Sequence, residues 1–323
     1  MYGAGARRLG MSLARAIELA GAAAGRAYPK PTVGAVVAKD GEIVAEGVTE
    51  QGGRHGEVVA LDAAGAAARG ATLFVTLEPC AHYGTTPPCS ERIIADGVAR
   101  VVVGARDPNP EAAGGVEMLR NAGVEVEFLD AWEARVQNEA WRVWVSERRP
   151  YVTYKAAATL DGRVTVPGRR WVTGEASRRL VHELRAASDA VAVGMGTVRA
   201  DTPRLDARDV PTPRGQPRRL AFGRGPLPDG SELELRTGPL ADELQALAAE
   251  GVQSLLLEGG PTLAGAFLDA DLVDKVLLFV APELAGGDGP HVLPRLGSGF
   301  RLSHLSARLV GEDVLLEAYV HTI

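Results

Sequence analysis

The chain has 323 residues, about the size of two ordinary domains, and a formal net charge of −6. This charge argues against a general nucleic-acid binder, which would carry a basic footprint. The sequence contains no stretch of about 18 apolar residues, no signal-sequence pattern and only two cysteines, so we expect a cytoplasmic globular protein without a membrane span.

The first half of the chain alternates strand and helix patterns. Ser12 is suited to cap a helix over 12–24, and a β-branched run at 33–37 is joined by the turn Lys39-Asp40-Gly41-Glu42 to a strand at 43–47. Further strands are predicted at 71–77, 100–104 and 124–128, and further helices at 57–68, 89–95 and 115–122. This alternation predicts a three-layer α/β domain whose ligand loops follow the carboxyl ends of its strands.

A domain boundary is predicted after a helix over 131–146 that carries three tryptophans. The segment Arg148-Arg149-Pro150 interrupts the pattern there. We therefore expect one domain over 1–147 and a second over 148–323. The tryptophans are interpreted as packing residues between the domains.

The second half is also predicted to be α/β. Strands are expected at 151–157, 190–194, 219–222 and 254–257, helices at 175–187, 242–249 and up to 268, a turn at 195–198, and a strand-rich end from Lys275. Gly259-Gly260-Pro261 stands between a strand and a helix, which suits either a phosphate or a plain tight turn. Gly194-Met195-Gly196 lacks the third glycine of G-x-G-x-x-G, so an ordinary Rossmann domain is not predicted.

One pair of segments carries recognisable metal chemistry. Cys80 and Cys89 both follow prolines, and His55-Gly56-Glu57 lies upstream at the start of a predicted helix. One imidazole and two thiolates are the ligand set of a catalytic zinc with an open fourth position, and Glu57 is left to move protons. Inert buried thiols or a short-loop disulfide are the alternatives.

The order His-x-Glu, Pro-Cys, Cys is typical of zinc nucleobase deaminases. Eight residues separate the two cysteines here, where the generic pattern has two. The generic pattern is therefore matched only in part.

Ordered motifs extend this pattern over the whole chain. Those in the first half are Val33-Gly34-Ala35-Val36, His55-Gly56-Glu57, Leu77-Glu78-Pro79-Cys80, the segment 84–89 and Asp107-Pro108-Asn109-Pro110. Those in the second half are Leu160-Asp161-Gly162, Trp171-Val172-Thr173, Leu184-Arg185, Gly196-Thr197-Val198, the segment 201–205 and Glu258-Gly259-Gly260. With these motifs the chain resembles the bifunctional riboflavin-biosynthesis family, in which a pyrimidine deaminase is fused to a pyrimidine reductase.

The resemblance implies a cytidine-deaminase-like α/β/α domain followed by a dihydrofolate-reductase-like α/β domain. It implies zinc-dependent hydrolytic deamination of 2,5-diamino-6-(5-phosphoribosylamino)pyrimidin-4(3H)-one, and then NADPH-dependent reduction of the ribosyl group to ribityl. It also implies a homo-oligomer that acts on a small pyrimidine nucleotide. The net charge and the lack of a long apolar stretch predict neither nucleic acid nor a membrane as a partner.

The resemblance further implies residue roles. Zinc is expected on His55, Cys80 and Cys89, with Glu57 as the catalytic residue. The NADPH positions are Ala158, Trp171, Thr197, Asp201, Gly260, Pro261 and Thr262. The substrate positions are Asp107, Asn109, Arg185, Leu205, Arg208 and Glu258, and Arg169 is a further candidate for the phosphate.

The chain departs from the family pattern at several positions. Lys30 replaces a usual Asn, Thr85 a basic residue, Arg169 a Ser and Thr202 an Asp, while Gly56 replaces an Ala without expected effect. Lys30 and Thr85 keep open a zinc deaminase of another nucleobase or nucleotide with a degenerate second domain. A structural zinc module with a nucleotide-sensing domain is the remaining alternative, with His82 as the fourth ligand.

Overall fold

The chain folds into two α/β units, each built on its own sheet. The computed structural model describes residues 4–84, 87–292, 296–297 and 299–321, with side chains from residue 12 onward. The described chain divides between Ser146 and Glu147. The expected α/β class is confirmed for both halves. No helix in these described ranges is long and apolar enough to cross a membrane.

The first unit contains a five-stranded sheet of order β2-β1-β3-β4-β5, in which β1 is antiparallel to both neighbours and the remaining pairs are parallel. Its strands are β1 (Gly34–Lys39), β2 (Glu42–Val48), β3 (Thr72–Leu77), β4 (Arg100–Ala105) and β5 (Glu125–Phe128). Its helices are α1 (Ala4–Ala22), α2 (Gly56–Ala64), α3 (Cys89–Ala95), α4 (Gly115–Asn121), α5 (Trp132–Val136) and α6 (Glu139–Glu147).

Helices cover both faces of this sheet, because successive strand residues point to opposite sides. One face contacts Leu13 and Ala16 of α1. The other face contacts Leu61, Ile93 and Leu119, one residue from each of α2, α3 and α4. The result is the expected three-layer arrangement.

The predicted turn between β1 and β2 is confirmed. Lys39 pairs with Glu42, which leaves Asp40 and Gly41 as a two-residue loop. Both loop residues have positive φ, 52° and 86°. This backbone matches the twist of a two-stranded hairpin, and Asp-Gly is a favoured sequence for it.

The prediction of one helix over 131–146 is wrong, because the chain breaks between α5 and α6 at Asn138. The Asn138 side chain accepts a hydrogen bond from Thr32 N at 2.9 Å and donates one to Thr32 O at 3.0 Å. Both residues are buried. The Asn138 amide therefore satisfies the hydrogen-bonding capacity of two buried backbone groups in the segment before β1.

The second unit contains an eight-stranded sheet of order β12-β13-β11-β6-β10-β7-β8-β9. The pairs from β11 to β9 are parallel, and β13 is antiparallel to both of its neighbours. Its strands are β6 (Tyr151–Thr159), β7 (Ala190–Gly194), β8 (Arg218–Phe222), β9 (Glu234–Arg236), β10 (Ser254–Leu257), β11 (Lys275–Ala281), β12 (Ser303–Val310) and β13 (Asp313–Tyr319). Its helices are α7 (Glu175–Ala187), α8 (Met195–Asp201), α9 (Leu240–Ala249) and α10 (Pro261–Asp269).

The turn predicted at 195–198 is wrong, because this segment begins helix α8. Met195 and Val198 lie three residues apart on one helix face. Both are buried in a cluster that includes Val191 and Val193 of β7. A helix buries both side chains against this face of the sheet, and this packing outweighs the preference of Gly194 and Gly196 for a turn.

Candidate active sites

The three predicted zinc ligands come together at the carboxyl-terminal side of the first sheet. His55 immediately precedes α2, Cys80 follows β3, and Cys89 is the first residue of α3. His55 Nδ1 and the two Sγ atoms all lie within 4.8 Å of one another. The two cysteines are free and buried, so the disulfide alternative is wrong for this structure.

The distances among these atoms fit a tetrahedral zinc. His55 Nδ1 lies 3.1 Å from Cys89 Sγ and 3.7 Å from Cys80 Sγ. Ligands at ordinary Zn–N and Zn–S lengths are about 3.6 Å apart in a tetrahedron. Among the described residues the cluster has three ligating groups and no fourth, which fits a catalytic zinc better than a closed structural site.

Glu57 lies beside this cluster and has an unsatisfied oxygen. The side chain is 3 % exposed, and Oε2 has no hydrogen-bond partner among the described residues. A buried acceptor of this kind costs free energy unless something fills the space next to it. Its position suits a water held at the open coordination position.

Burial and contacts with sulfur shift the pKa values of Glu57 and of the three predicted zinc ligands. Burial raises the pKa of Glu57 to about 6. The hydrogen bond from Cys89 lowers the pKa of Cys80 to about 4, and the same contact raises the pKa of the Cys89 thiol. Contact with Cys80 raises the pKa of His55. The metal-free cluster therefore holds protons that a metal has to displace.

Asp107 and Asn109 lie in one loop after β4. Asn109 N donates to Asp107 Oδ1 at 2.8 Å, and burial raises the pKa of Asp107 to about 6. Buried Glu78 accepts hydrogen bonds from the backbone N atoms of Asp107 at 3.3 Å and of Gly114 and Val116 at 3.2 Å each. Glu78 thus fixes the loop that carries both predicted substrate residues.

One departure from the family pattern, Lys30, lies near His55. Lys30 Nζ is 3.2 Å from the position that a Cβ on Gly53 would occupy, in the loop that leads to His55. Thr85 falls outside the described residues. His82 is exposed and its Nε2 faces Gly84, and the described metal cluster does not include it.

In the second unit, Arg185 and Glu258 form a two-pronged ion pair. Arg185 Nε and Nη2 donate to the two Glu258 oxygens at 2.6 and 3.0 Å. Lys155 Nζ lies 3.8 Å from Glu258 Oε2. Burial alone would raise the pKa of Glu258, but Lys155 and Arg185 hold it below its ordinary value. The carboxylate therefore stays ionised at neutral pH.

The loop after α8 brings Leu205 and Arg208 towards this pair. Arg185 Nη1 also donates to Asp206 O at 3.1 Å. Leu205 is buried with a positive φ of 55°, a strained conformation for a branched residue. Arg208 is 45 % exposed, and its Nε is 3.6 Å from Asp206 Oδ1. The loop thus presents a cation to solvent beside the buried pair.

Three of the predicted cofactor residues meet where β7 and β10 end. Gly260 caps α10, and Pro261 occupies its first turn, where a missing N–H does no harm. A Cβ on Gly260 would lie 3.5 Å from Thr197 Oγ1 of α8. The narrow gap and the start of a nine-residue helix fit a phosphate of a dinucleotide.

The remaining predicted residues lie in other surroundings. Ala158 is buried in β6, whereas Thr262 and Asp201 are exposed. Trp171 is 50 % exposed, with the Arg170 and Arg178 guanidinium carbons 4.9 and 5.7 Å from its ring centre. Arg169 is ion-paired with Glu283.

Sequence reasoning missed Lys155 and Glu78 as site residues. Lys155 is the one charged residue of the predicted strand at 151–157, which is a signal because lysine is almost never fully buried without a partner. Glu78 directly follows strand β3 and belongs to the motif Leu77-Glu78-Pro79-Cys80. Neither the alternation nor the motif indicates that Glu78 binds the backbone of two other segments.

Comparisons with known proteins match both halves of the chain. Residues 11–105 match the cytidine and deoxycytidylate deaminase zinc-binding region, which includes all three predicted ligands, and residues 150–316 match the RibD C-terminal domain. The riboflavin biosynthesis protein RibD of Aquifex aeolicus is 40 % identical over 93 % of this chain and 91 % of its own. That of Escherichia coli is 36 % identical over 94 % and 97 %.

Solved structures of RibD proteins also resemble this chain over nearly its whole length. The chain superposes on RibD of Acinetobacter baumannii with a TM-score of 0.84 and 34 % identity, over 98 % of this chain and 99 % of that one. A Thermotoga maritima structure described as a diaminohydroxyphosphoribosylaminopyrimidine deaminase and 5-amino-6-(5-phosphoribosylamino)uracil reductase gives 0.81 and 34 %, with the same coverage. The expected resemblance and fold class are confirmed: the chain belongs to the RibD family of riboflavin biosynthesis proteins.

Proposed function

We propose that this chain catalyses two successive steps of riboflavin biosynthesis, a zinc-dependent deamination and an NADPH-dependent reduction. The first consumes one water and releases ammonia from the 2-position of 2,5-diamino-6-(5-phosphoribosylamino)pyrimidin-4(3H)-one. The second reduces the ribosyl group of the product to ribityl. The observation that carries the proposal is the presence, in one chain, of the His55, Cys80 and Cys89 cluster beside an unsatisfied Glu57 and of a RibD C-terminal domain.

For the deamination, His55, Cys80 and Cys89 would hold zinc, which when bound supplies a Lewis acid that makes water acidic near neutral pH. Glu57 transfers two protons in turn: one passes from the attacking water to the ring nitrogen, and the second passes from the newly added hydroxyl group to the amine, which leaves as ammonia. Its raised pKa suits this exchange, because proton transfer is best near the working pH. Asp107 and Asn109 orient the pyrimidine from the loop that Glu78 fixes.

For the reduction, NADPH supplies the hydride. Gly260, Pro261 and Thr262 begin the helix that receives its phosphates, and Ala158, Trp171, Thr197 and Asp201 complete the cofactor site. Two arginines are placed to hold the sugar phosphate. Arg208 offers an exposed guanidinium, and Arg185 binds Glu258 through Nε and Nη2. Leu205 and Glu258 complete the substrate site, and Arg169 remains a second candidate for the phosphate.

We infer in addition a cytoplasmic homo-oligomer with a domain boundary at 147/148. Reduced thiols as zinc ligands support a reducing compartment. Leu305 and Leu309 of the edge strand β12 are 69 % and 73 % exposed, which supports burial against another chain. The negative net charge supports a small-molecule substrate over nucleic acid. Sedimentation of the purified protein tests the oligomeric state.

A coupled assay tests the two reactions together. Zinc-loaded protein is given the diaminopyrimidinone substrate and NADPH, and ammonia and NADPH absorbance are followed. Ammonia release that precedes NADPH loss supports both steps. Ammonia without NADPH loss would indicate a deaminase with a degenerate second domain, and neither signal from zinc-bound protein would refute the proposed substrate.

A further inference from the structure

Helix α7 contacts the loop that carries Leu205 and Arg208 through the side chain of His182. His182 Nδ1 lies 3.2 Å from Arg208 N and 3.2 Å from Asp206 O. Arg185 lies three residues further along α7, and its Nη1 donates to the same Asp206 O at 3.1 Å. Two side chains on one face of the helix therefore hold the backbone of this loop.

The two contacts of His182 Nδ1 determine where the imidazole carries its proton. A backbone N–H group only donates, so Arg208 N needs Nδ1 as its acceptor. Asp206 O already has a donor in Arg185. The form that satisfies both backbone groups is therefore the neutral imidazole with its proton on Nε2.

The charges around the ring favour the same neutral form. Burial lowers the pKa of His182, and the guanidinium groups of Arg185 and Arg208 lower it further. The backbone and the carboxylate of Asp206 oppose this shift. Glu258 is a further charged group near the ring, and it is already paired with Arg185. The imidazole is therefore uncharged at neutral pH, and the next proton must be added at Nδ1.

The backbone on both sides of Arg208 is strained. Leu205 and Asp209 have positive φ values of 55° and 58°, a region that is uncommon for residues with a side chain and persists where surrounding contacts enforce it. The contact from His182 is made directly to the Arg208 N–H group. Its loss therefore acts on the residue that is proposed to bind the sugar phosphate.

Protonation of Nδ1 removes the acceptor for Arg208 N and places two N–H groups against each other. It also adds a third positive charge beside Arg185 and Arg208. We propose that neutral His182 is a positioning residue, which holds the Arg208 loop in the arrangement that binds the sugar phosphate and releases it as the pH falls. This inference rests on the proposed reductase function.

Two substitutions separate the acceptor from its titration. His182→Asn places an amide oxygen where Nδ1 stands, so the acceptor for Arg208 N remains but cannot gain a proton. His182→Leu removes the acceptor at every pH. KM and kcat for reduction of the deaminated substrate by full-length zinc-loaded protein are measured from about pH 5.5 to pH 8, with ammonia release as a check on the first unit. The control is His304→Asn, which replaces an exposed histidine on β12.

We expect KM of the wild type and of the control to rise as the pH falls. His182→Asn should keep the wild-type KM at pH 8 and show a rise about tenfold smaller, the effect of one hydrogen bond, because only the substrate phosphate still titrates. His182→Leu should have a KM about tenfold above the wild type at pH 8, with kcat changed by less than about twofold. The same pH dependence of KM in the wild type and in His182→Asn would overturn the inference, whether or not His182→Leu folds.

NMR of the imidazole nitrogens gives a test that does not depend on catalysis. Long-range proton–nitrogen spectra of histidine-labelled protein distinguish a protonated from an unprotonated Nδ1, and the His182 signals are those missing from the His182→Asn spectrum. A proton on Nδ1 at pH 8 would overturn the inference.

Absence of NADPH loss at every pH would refute the proposed reductase function instead. Calorimetry with ribose 5-phosphate then decides the inference. Binding that weakens at low pH more in the wild type than in His182→Asn would still support the role of His182, and equal binding would overturn it.

Discussion

Asn138 holds Thr32 by both of its backbone groups, across 106 residues of sequence. This pair joins the start of α6 to the segment that enters β1. The adjacent Val33 N donates to Thr49 Oγ1 at 2.8 Å, and Thr49 N donates to Val33 O at 2.9 Å. The backbone around Thr32 is therefore fixed on both sides, close to the loop that leads to His55.

The Asn138→Ala variant should lose about 2–4 kcal/mol of unfolding free energy, because two buried backbone groups lose their partners. Chemical denaturation followed by circular dichroism measures this loss. Asn121→Ala is the matched control, since Asn121 is exposed at the end of α4 and should change stability by less than about 0.5 kcal/mol. Equal stability of the two variants would contradict the role given to Asn138.

The Glu57→Gln variant should abolish ammonia release and leave reduction of the deaminated substrate intact. Burial raises the pKa of Glu57 to about 6 in the folded protein. The folded state therefore binds this proton more tightly than the unfolded state, and its stability falls as the pH rises through that value. At pH 8 the ionised carboxylate should lower the free energy of unfolding by about 2 kcal/mol. The metal-free variant should thus be more stable than the wild type at pH 8, and this difference should vanish at pH 4.

Thermal unfolding in the presence of a chelator measures the stability difference, and an ammonia assay of zinc-loaded protein measures the activity. Near-wild-type ammonia release from a zinc-bound Glu57→Gln variant would show that another group transfers the proton.

Zinc affinity should rise with pH. Contacts with Cys80 raise the pKa of both Cys89 and His55 in the metal-free protein. Protons therefore compete with zinc as the pH falls, and the affinity should weaken by about tenfold per pH unit for each proton displaced. Competition with a chromophoric chelator at pH 6, 7 and 8 measures this dependence. A constant affinity over that range would show that the ligands are already deprotonated.

The Glu258→Gln variant should lose reduction and about 3–5 kcal/mol of stability, because Lys155 and Arg185 are left as buried cations without a counter-charge. The pKa of Glu258 is lower in the folded protein than its ordinary value. The wild type should therefore have the stabilising effect of this carboxylate at pH values above the ordinary glutamate pKa, and should lose it as the pH falls through the lowered pKa. Unfolding curves at pH 7 and pH 4 measure both effects. The control is Glu232→Gln, whose carboxylate is exposed and paired only at the surface.

Much of both sheets could be predicted, because alternating apolar residues and Gly-Pro punctuation indicate strands and helices directly. Helices α3 and α7 begin and end where the pattern placed them. The zinc cluster was predictable because its residue types and order are rare by chance. Helix α8 was not, since its glycines favour a turn locally and only the packing of Met195 and Val198 against the sheet favours a helix.

The polar contacts over long sequence distances could not be predicted either. Asn138 with Thr32, and Glu78 with Asp107, depend on how separate segments meet in space. The local pattern around each of these residues is compatible with an ordinary surface position. Their hydrogen-bond partners can be identified only from the three-dimensional arrangement of the backbone.

Gly56 was expected to be harmless in place of the usual alanine, and the structure gives it a definite role. A Cβ there would lie 2.3 Å from Val33 O, the acceptor of the Thr49 N–H group. Gly56→Ala should therefore cost about 1–3 kcal/mol and weaken zinc binding through the adjacent His55. Thermal shift and chelator competition measure both, with Gly21→Ala as a control in α1, where the nearest atom is 4.0 Å away.

Over the residues that the structure describes, each sheet is built only from strands of its own half of the chain. The zinc ligands, Glu57 and the Asp107 loop are all complete before β6 begins. During synthesis the first sheet therefore has every strand it needs while the second half is still being made, and domains of such proteins generally fold as units from the N-terminus. The metal-binding cluster thus needs no residue of the second half of the chain to be complete.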